Sequence, residues 1–343
     1  RKCLENLQVE SQVKMFKGGS RNADQYVGAH AHAIANTKES ADKDRNYVPV
    51  TQAFYDIVTD FYQWGWGNSF HFAPRNNGEN FHASILRHEH WLAARIEARP
   101  GQEVCDLGCG VCGPLVSIAK FTRANVTGIT IDEYQVDKGN AWIKRNGLSR
   151  SCKSIQGDFH DLPFAPNSFD SGYDMEATAH STELAKFFSE VHRVLKKGGC
   201  FAGFAWVTTT KYNPKDQVEK KIIDGLAYGN AISVVHSFED YKKAIDSIPG
   251  LELEEDYDAA KLGDDLPWYE PLLPKYTMDG VLATRPGRLF TSNLTRALEM
   301  IGMAPKGAYK TTQVLEEAAV CLVEAGKREI YTPMHYYKVR KIQ

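Results

Sequence analysis

The chain has 343 residues, 43% of them apolar and 24% charged, with a formal net charge of -2 at neutral pH. That length holds one large α/β domain with a lid, or two domains. Nothing in the charge balance points to a nucleic-acid partner, and no apolar run reaches the ~20 residues that span a bilayer. The chain opens on Arg1 rather than Met, which leaves open an anchor or targeting segment ahead of it.

The first 50 or so residues are polar, with Gly18-Gly19-Ser20 and a charged run from Lys38 to Arg45. From Val50 to Phe61 apolar residues recur at helical spacing, and an aromatic, glycine-punctuated segment follows from Tyr62 to Phe72. A second helix is predicted over Ser84–Ala98, ended by Arg99-Pro100-Gly101. Strands then alternate with helices. Strands are predicted at Glu103–Leu107, Asn125–Ile131, Cys152–Gln156, Ser168–Met175 and Cys200–Val207, and helices at Pro114–Phe121, Tyr134–Asn146 and Leu184–Leu195. Lys196-Lys197-Gly198-Gly199 reads as a helix C-cap and turn. Such alternation implies a mostly parallel, doubly wound sheet with its ligands at the carboxyl ends of the strands. The expected division is an N-terminal helical segment and lid (1–98), a Rossmann-like α/β domain (99–261) and a substrate-side subdomain (262–343).

The densest signal is Glu103-Val-Cys-Asp-Leu-Gly-Cys-Gly-Val-Cys-Gly113. A strand ending in Gly108, Gly110 and Gly113 allows a tight turn whose backbone N–H groups approach a ligand. Cys109 and Cys112 form an isolated CxxC; a zinc site needs more ligands than follow, so no metal is expected and the pair reads as two small residues in a tight loop. Seven cysteines, an odd number lying mostly in predicted strands, suit reduced thiols in a cytosolic compartment.

Gly108-x-Gly110-x-x-Gly113 alone matches a dinucleotide fingerprint, and Asp132 stands where a ribose acid would fit NAD. Three further features favour S-adenosylmethionine. Asp106 precedes the first glycine, near the methionine end. Asp158-Phe159 follows the third strand, an acid to accept the adenine amino group beside a ring to pack on its face. Asn167-Ser-Phe-Asp170 and Leu195-Lys-Lys-Gly-Gly199 frame the fourth strand and the following helix. This series, over about 100–210, resembles class I S-adenosylmethionine-dependent methyltransferases.

A narrower resemblance covers the chain from about residue 50 to its end. Tyr62-Gln-Trp-Gly-Trp-Gly-Asn-Ser-Phe-His-Phe72, Arg87-His-Glu-His90, Met175-Glu-Ala-Thr-Ala-His180, Leu266-Pro-Trp-Tyr269, Gly302-Met-Ala-Pro-Lys-Gly307, Leu315-Glu-Glu-Ala-Ala319 and Tyr331-Thr-Pro-Met334 are similar to the sterol C-methyltransferases. The family implies transfer of a methyl group from S-adenosylmethionine to a sterol carbon. Carried over, Gly65, Gly67 and Ser69 line the methionine end, with Asp106 nearby. Gly108, Cys109, Gly110 and Gly113 form the turn, Thr130, Asp132 and Gln135 surround the ribose, and Asp158 and Phe159 hold the adenine. Glu176 and His180 stand where the methyl group meets its acceptor, His90 is another candidate base, and Tyr62 a donor to a substrate oxygen. Trp64, Trp66, Phe70, Trp268 and Tyr269 supply the broad apolar wall that a rigid sterol needs, with π-faces able to stabilise a cation.

The chain departs from that family at Gln63, at Ala205 and at Thr209, where acids are usual, and at Cys112, where glycine is usual. Side-chain methylation at C-24 passes through a cation that carboxylates stabilise. Their loss tilts the expectation to ring methylation at C-4 through a 3-keto enolate, with C-24 methylation as the alternative and a non-catalytic sterol- and cofactor-binding protein as a further one. The expected partners are a sterol, a transient membrane surface met through Trp268 and Tyr269, and further copies of the chain. The expected location is cytoplasmic or peripheral at the endoplasmic reticulum.

Overall fold

The computed structural model describes residues 48–263, 266–273, 285–302 and 308–343. The stretches Gly18–Ser20 and Lys38–Arg45, and most of the Gly302–Gly307 motif, lie outside these residues. Strands β1 (Glu103–Leu107), β2 (Asn125–Thr130), β3 (Cys152–Gln156), β4 (Phe169–Met175), β5 (Leu195–Thr208), β6 (His236–Ser237), β7 (Leu251–Asp258) and β8 (Tyr331–Lys341) form one sheet in the order 3-2-1-4-5-8-7, with β6 paired to β5. Strands β1 to β5 run parallel, as expected from their crossover helices, while β8 runs antiparallel between β5 and β7. The order reverses between β1 and β4, the place where an open α/β sheet holds its ligands.

Two faces are covered. Helices α2 (Phe81–Arg95), α3 (Gly113–Thr122) and α4 (Glu133–Arg145) flank one, with α6 (Gln217–Gly229), while α5 (Leu184–Val194) and α7 (Phe238–Asp246) cover the other. Along β5 the side chains alternate between these layers: Phe204 packs with the first core, Ala205 and Val207 with the second. Helices α8 (Arg285–Met300) and α9 (Ala308–Lys327) follow, and α9 packs on α6, where Gly229 lets Ala318 approach the backbone. The segment after residue 262 therefore contributes both a helical cover and, through β8, a strand inside the sheet.

Three local expectations need correction. The aromatic stretch begins as helix: α1 spans Val48–Trp66, taking in Gly65. The second helix starts at Phe81, capped by the Asn80 side chain on the Ala83 N–H at 2.8 Å. Lys196–Gly199 is a bulged opening of β5 rather than a C-cap: pairing jumps from Phe169↔Leu195 to Ser171↔Cys200, with Gly198 at φ 82°.

Candidate active site

Beyond the carboxyl ends of β1, β2 and β4 lies a cavity of about 810 Å³. Asp106, Gly108, Cys109, Gly110 and Val111 supply one wall, Ile129, Thr130, Ile131 and Gln135 a second, and Gly157 and Phe159 a third. Met175, Glu176, Ala177 and His180 close the β4 side, and Thr51 and Tyr55 of α1 cover it with Asn68, Phe70 and His71. Gly108 has φ 92°, and a Cβ there would collide with Ala177, so the turn requires glycine for conformation and clearance alike.

Several expected cofactor residues act through one another. Thr130 Oγ1 donates to Gln135 Oε1 at 2.7 Å, and Gln135 Nε2 donates to Thr59 of α1 at 3.2 Å. Asp132 is buried and caps α4 through the Tyr134 N–H at 2.8 Å. Asp158 accepts the His160 N–H at 2.8 Å beside the cavity wall. Gly113 does not face the cavity: it opens α3 against the Asn68 carbonyl, where any Cβ would collide. Ser69 turns the same way, its hydroxyl donating to Glu89 at 2.6 Å. Gly65 and Gly67 lie at and just past the end of α1, off the cavity lining.

A second, largely apolar cavity of about 570 Å³ adjoins the first. Tyr62 and Trp66 of α1, Phe70, His71, Phe72, Trp206 of β5 and Leu272 meet Leu315, Ala318, Ala319 and Leu322 of α9 and Asn230. Phe70 and His71 border both cavities. Between these walls sits Glu176. Its Oε1 accepts the Phe72 N–H and its Oε2 the Trp206 indole N–H, each at 2.7 Å. Its φ of 63° is a left-handed conformation that costs a side-chain-bearing residue about 1–2 kcal/mol, a strain held at the end of β4 by the Glu176 N–H to Phe204 carbonyl bond. Burial pushes the Glu176 carboxyl up to about 8, and likewise Asp106, bonded by the Tyr173 hydroxyl at 3.0 Å, to about 8. Deeper still, Asp174 is raised to about 7 by burial while Tyr337 and Thr178 hydrogen-bond to it.

His71 has surroundings that favour the opposite charge. Its Nδ1 faces the Phe72 carbonyl at 2.7 Å and its Nε2 the Glu89 carboxylate at 3.2 Å, two acceptors that suit an imidazolium. Burial opposes that charge, but the Glu89 hydrogen bond and charge outweigh it and hold the His71 pKa above the usual value. This residue is a feature sequence reasoning missed, although His71 stands in the aromatic motif. Tyr55, Trp206, Asn230 and the α9 face were missed as well; only α9 carried a readable signal, in the i, i+3, i+4, i+7 spacing of Leu315, Ala318, Ala319 and Leu322.

Other candidates lie elsewhere. His90 stacks on Phe121, ring centroids 4.2 Å apart, and borders neither cavity. It is held on the outer side of α2 and α3, so it does not reach a reacting carbon. His180 lines the first cavity, but both ring nitrogens are engaged, Nε2 with the Tyr55 hydroxyl at 2.8 Å and Nδ1 with the Ala231 carbonyl at 3.3 Å. Burial lowers its pKa to about 4, so it positions Tyr55 in the neutral form. Trp268 is 6% exposed, edge-on to Phe72, and Tyr269 packs against Trp268 and Gly326. These rings support the second cavity from behind, and buried Trp268 presents no ring to a membrane. Trp64 lies in the last turns of α1, with its side chain outside the described residues.

The departures that suggested a changed reaction also point away from both cavities. Gln63 accepts from Lys138 at 2.5 Å and donates to Asn68 at 2.8 Å. Ala205 is fully buried in the opposite core layer. Thr209 is bonded to the Glu329 carbonyl at 2.6 Å near the surface.

The fold and the cavity at its strand switch point define a class I S-adenosylmethionine-dependent methyltransferase. A methyltransferase-domain family model matches residues 105–203, and a model of the sterol methyltransferase C-terminal region matches 279–341. The cyclopropane synthase of Mycobacterium tuberculosis superposes with a TM-score of 0.66 at 12% identity over 85% of this chain and 97% of that one. The geranyl diphosphate C-methyltransferase of Streptomyces coelicolor A3(2), solved with S-adenosyl-L-homocysteine, gives 0.56 at 15% identity, covering 87% and 98%. Both show the fold. Cycloartenol-C-24-methyltransferase 1 of Oryza sativa subsp. japonica is 41% identical over 311 residues, 90% of each chain. Sterol 24-C-methyltransferase of Kluyveromyces lactis is 37% identical over 316 residues, covering 89% and 85%. The chain belongs to the sterol methyltransferase family and is an S-adenosylmethionine-dependent sterol C-methyltransferase.

Proposed function

We propose that this enzyme methylates C-24 in the side chain of a Δ24 sterol. The observation that carries the reading is the junction at Glu176. Its carboxylate, on the lining of the cofactor cavity, is held by the backbone N–H of Phe72 and the indole N–H of Trp206, whose side chains line the apolar cavity. The relatives named for C-24 chemistry support the same carbon, and the acids whose absence favoured C-4 occupy positions outside both cavities.

The glycine turn, Asp106, Gln135 and Phe159 fit a nucleoside-bearing cofactor, since backbone, carboxylate and ring groups converge at the strand ends. S-adenosylmethionine supplies an electrophilic methyl group there. The rings of Tyr62, Trp66, Phe70, Phe72 and Trp206 exclude water and present π-faces to positive charge developing on the sterol side chain. Glu176 in its ionised form stabilises that charge and accepts the proton lost from the methylated carbon. Of the three candidate bases, Glu176 takes the role, while His180, with Nδ1 on the Ala231 carbonyl, holds the Tyr55 hydroxyl through Nε2.

A turnover assay with methyl-labelled S-adenosylmethionine tests the reading. It compares a Δ24 sterol with a saturated-side-chain 3-ketosterol, the labelled carbon being located by NMR. Label at C-24 only with the Δ24 substrate is expected. Label at C-4 of the 3-ketone overturns the assignment.

A further inference from the structure

Cys109 and Cys112 stand as i and i+3 of a hydrogen-bonded turn, the Cys112 N–H donating to the Cys109 carbonyl at 2.8 Å. Such a turn holds its end Cα atoms within about 7 Å, and a disulfide needs about 4.4–6.8 Å. The two sulfurs are 3.8 Å apart. Cys112 occupies a left-handed conformation, φ 66°, at the N-cap of α3, where glycine fits without strain. Its sulfur fills the space beside Gly139, which any Cβ there would invade. Cys109 borders the cofactor cavity and is boxed in by Gly128 and by Ser154, whose hydroxyl lies 3.3 Å from the sulfur.

We propose that Cys109 and Cys112 are an oxidative modification site through which a peroxide turns off cofactor binding. The Cys109 sulfur attacks one peroxide oxygen; the O–O bond breaks, water leaves, and Cys109 becomes a sulfenic acid. The Cys112 sulfur then displaces the sulfenic hydroxyl as a second water, giving the disulfide. In sum, two thiols and one hydrogen peroxide yield one disulfide and two waters, and a dithiol reductant restores both thiols. Closing the sulfur separation to about 2.05 Å draws in a turn whose backbone lines the cavity. Because Cys109 cannot retreat past Gly128, the turn itself must change shape. Burial holds the Cys109 thiol well above its usual range, so its attack on peroxide is slow. Peroxide enters through the cofactor cavity, so bound cofactor protects it.

The test uses the purified full chain, treated with hydrogen peroxide and quenched with catalase, in wild type and in Cys112→Gly and Cys112→Ser. Peptide mass mapping, circular dichroism and calorimetric affinity for S-adenosyl-L-homocysteine are read before and after dithiothreitol. The expected wild-type result is a Cys109–Cys112 link and an affinity loss of at least about tenfold, with unchanged circular dichroism and recovery on reduction. S-adenosyl-L-homocysteine added beforehand slows the link, and each variant keeps its own affinity through the treatment. A link without an affinity change overturns the proposal, as does the absence of any link. Equal peroxide-induced losses in the variants assign the effect to oxidation without the link, at Cys109 alone or at another thiol, and overturn it as well. The readout involves no sterol, so it is independent of the C-24 assignment.

Discussion

The cofactor cavity and the apolar cavity share Phe70 and His71 but are built by different means. The first is assembled from strand ends and the turns that leave them, each a short local motif fixed by the parallel sheet. The second is assembled from a helix before the sheet, the end of β5, and a helix nearly one hundred residues further on. Polar groups and buried acids mark the first, while the second has aromatic and small aliphatic walls. Glu176 lines the first and is hydrogen-bonded to Phe72 and Trp206 of the second, and mutation is expected to separate the two regions.

Glu176→Gln removes the shared element. Turnover is expected to fall about 10²–10⁴-fold, with affinity for S-adenosyl-L-homocysteine nearly unchanged, measured by steady-state kinetics and calorimetry. Equal losses in both would place Glu176 in cofactor binding alone. Ala319→Phe attacks only the apolar side: one methylene is worth about 10–200-fold in such a pocket, so sterol KM is expected to rise at least about tenfold while cofactor affinity holds.

The pH profile sharpens the seam itself. Burial raises Glu176 to about 8, and a base acts only when ionised, so kcat/KM for the free enzyme should climb about tenfold per pH unit up to that value and then level off. The limb should vanish in Glu176→Gln. A related measurement distinguishes charge in the cofactor cavity. A sulfonium favours ionisation of Asp106 and Glu176, whereas the neutral homocysteine product does not. Binding of S-adenosylmethionine near pH 7 should therefore release up to about two protons more than binding of S-adenosyl-L-homocysteine, read by calorimetry in buffers of different ionisation enthalpy. The smallest effect belongs to Gln63→Glu: facing Lys138, it should alter turnover by less than about twofold and leave the methylated carbon unchanged.

The same contrast explains what the sequence made legible. The strands from Glu103 to Met175 were placed within a residue because a buried parallel strand leaves a short apolar run bounded by glycines and caps; the cavity residues Asp106, Gly108, Gly110 and Phe159 follow from that frame, and Thr130 and Gln135 from the family resemblance. Contacts fixed by tertiary packing left no local mark. Nothing near Gly113 announces that its missing Cβ makes room for Asn68 rather than for a ligand. His90 and His71 look alike in sequence, and only the packing of α2 sets one on Phe121 and the other beside Glu89. The shift from Lys196 to Gly199 likewise reflects a bulge in the β4–β5 register, where a glycine pair mimics a helix stop. Gln63 and Ala205 carried the strongest chemical inference, the one toward C-4, and tertiary packing sets both off the two cavity linings, Gln63 against Lys138 and Asn68 and Ala205 in the opposite core layer.

The most direct test is a crystal structure of the enzyme with S-adenosyl-L-homocysteine and a Δ24 sterol. The side chain is predicted to pass Trp66 and Trp206 and to bring C-24 to the Phe70–His71 seam, facing the cofactor sulfur across the space a transferable methyl group would take, with Glu176 beside it. A sterol bound with its A ring at that seam, or outside the Leu315–Leu322 face altogether, would contradict the account.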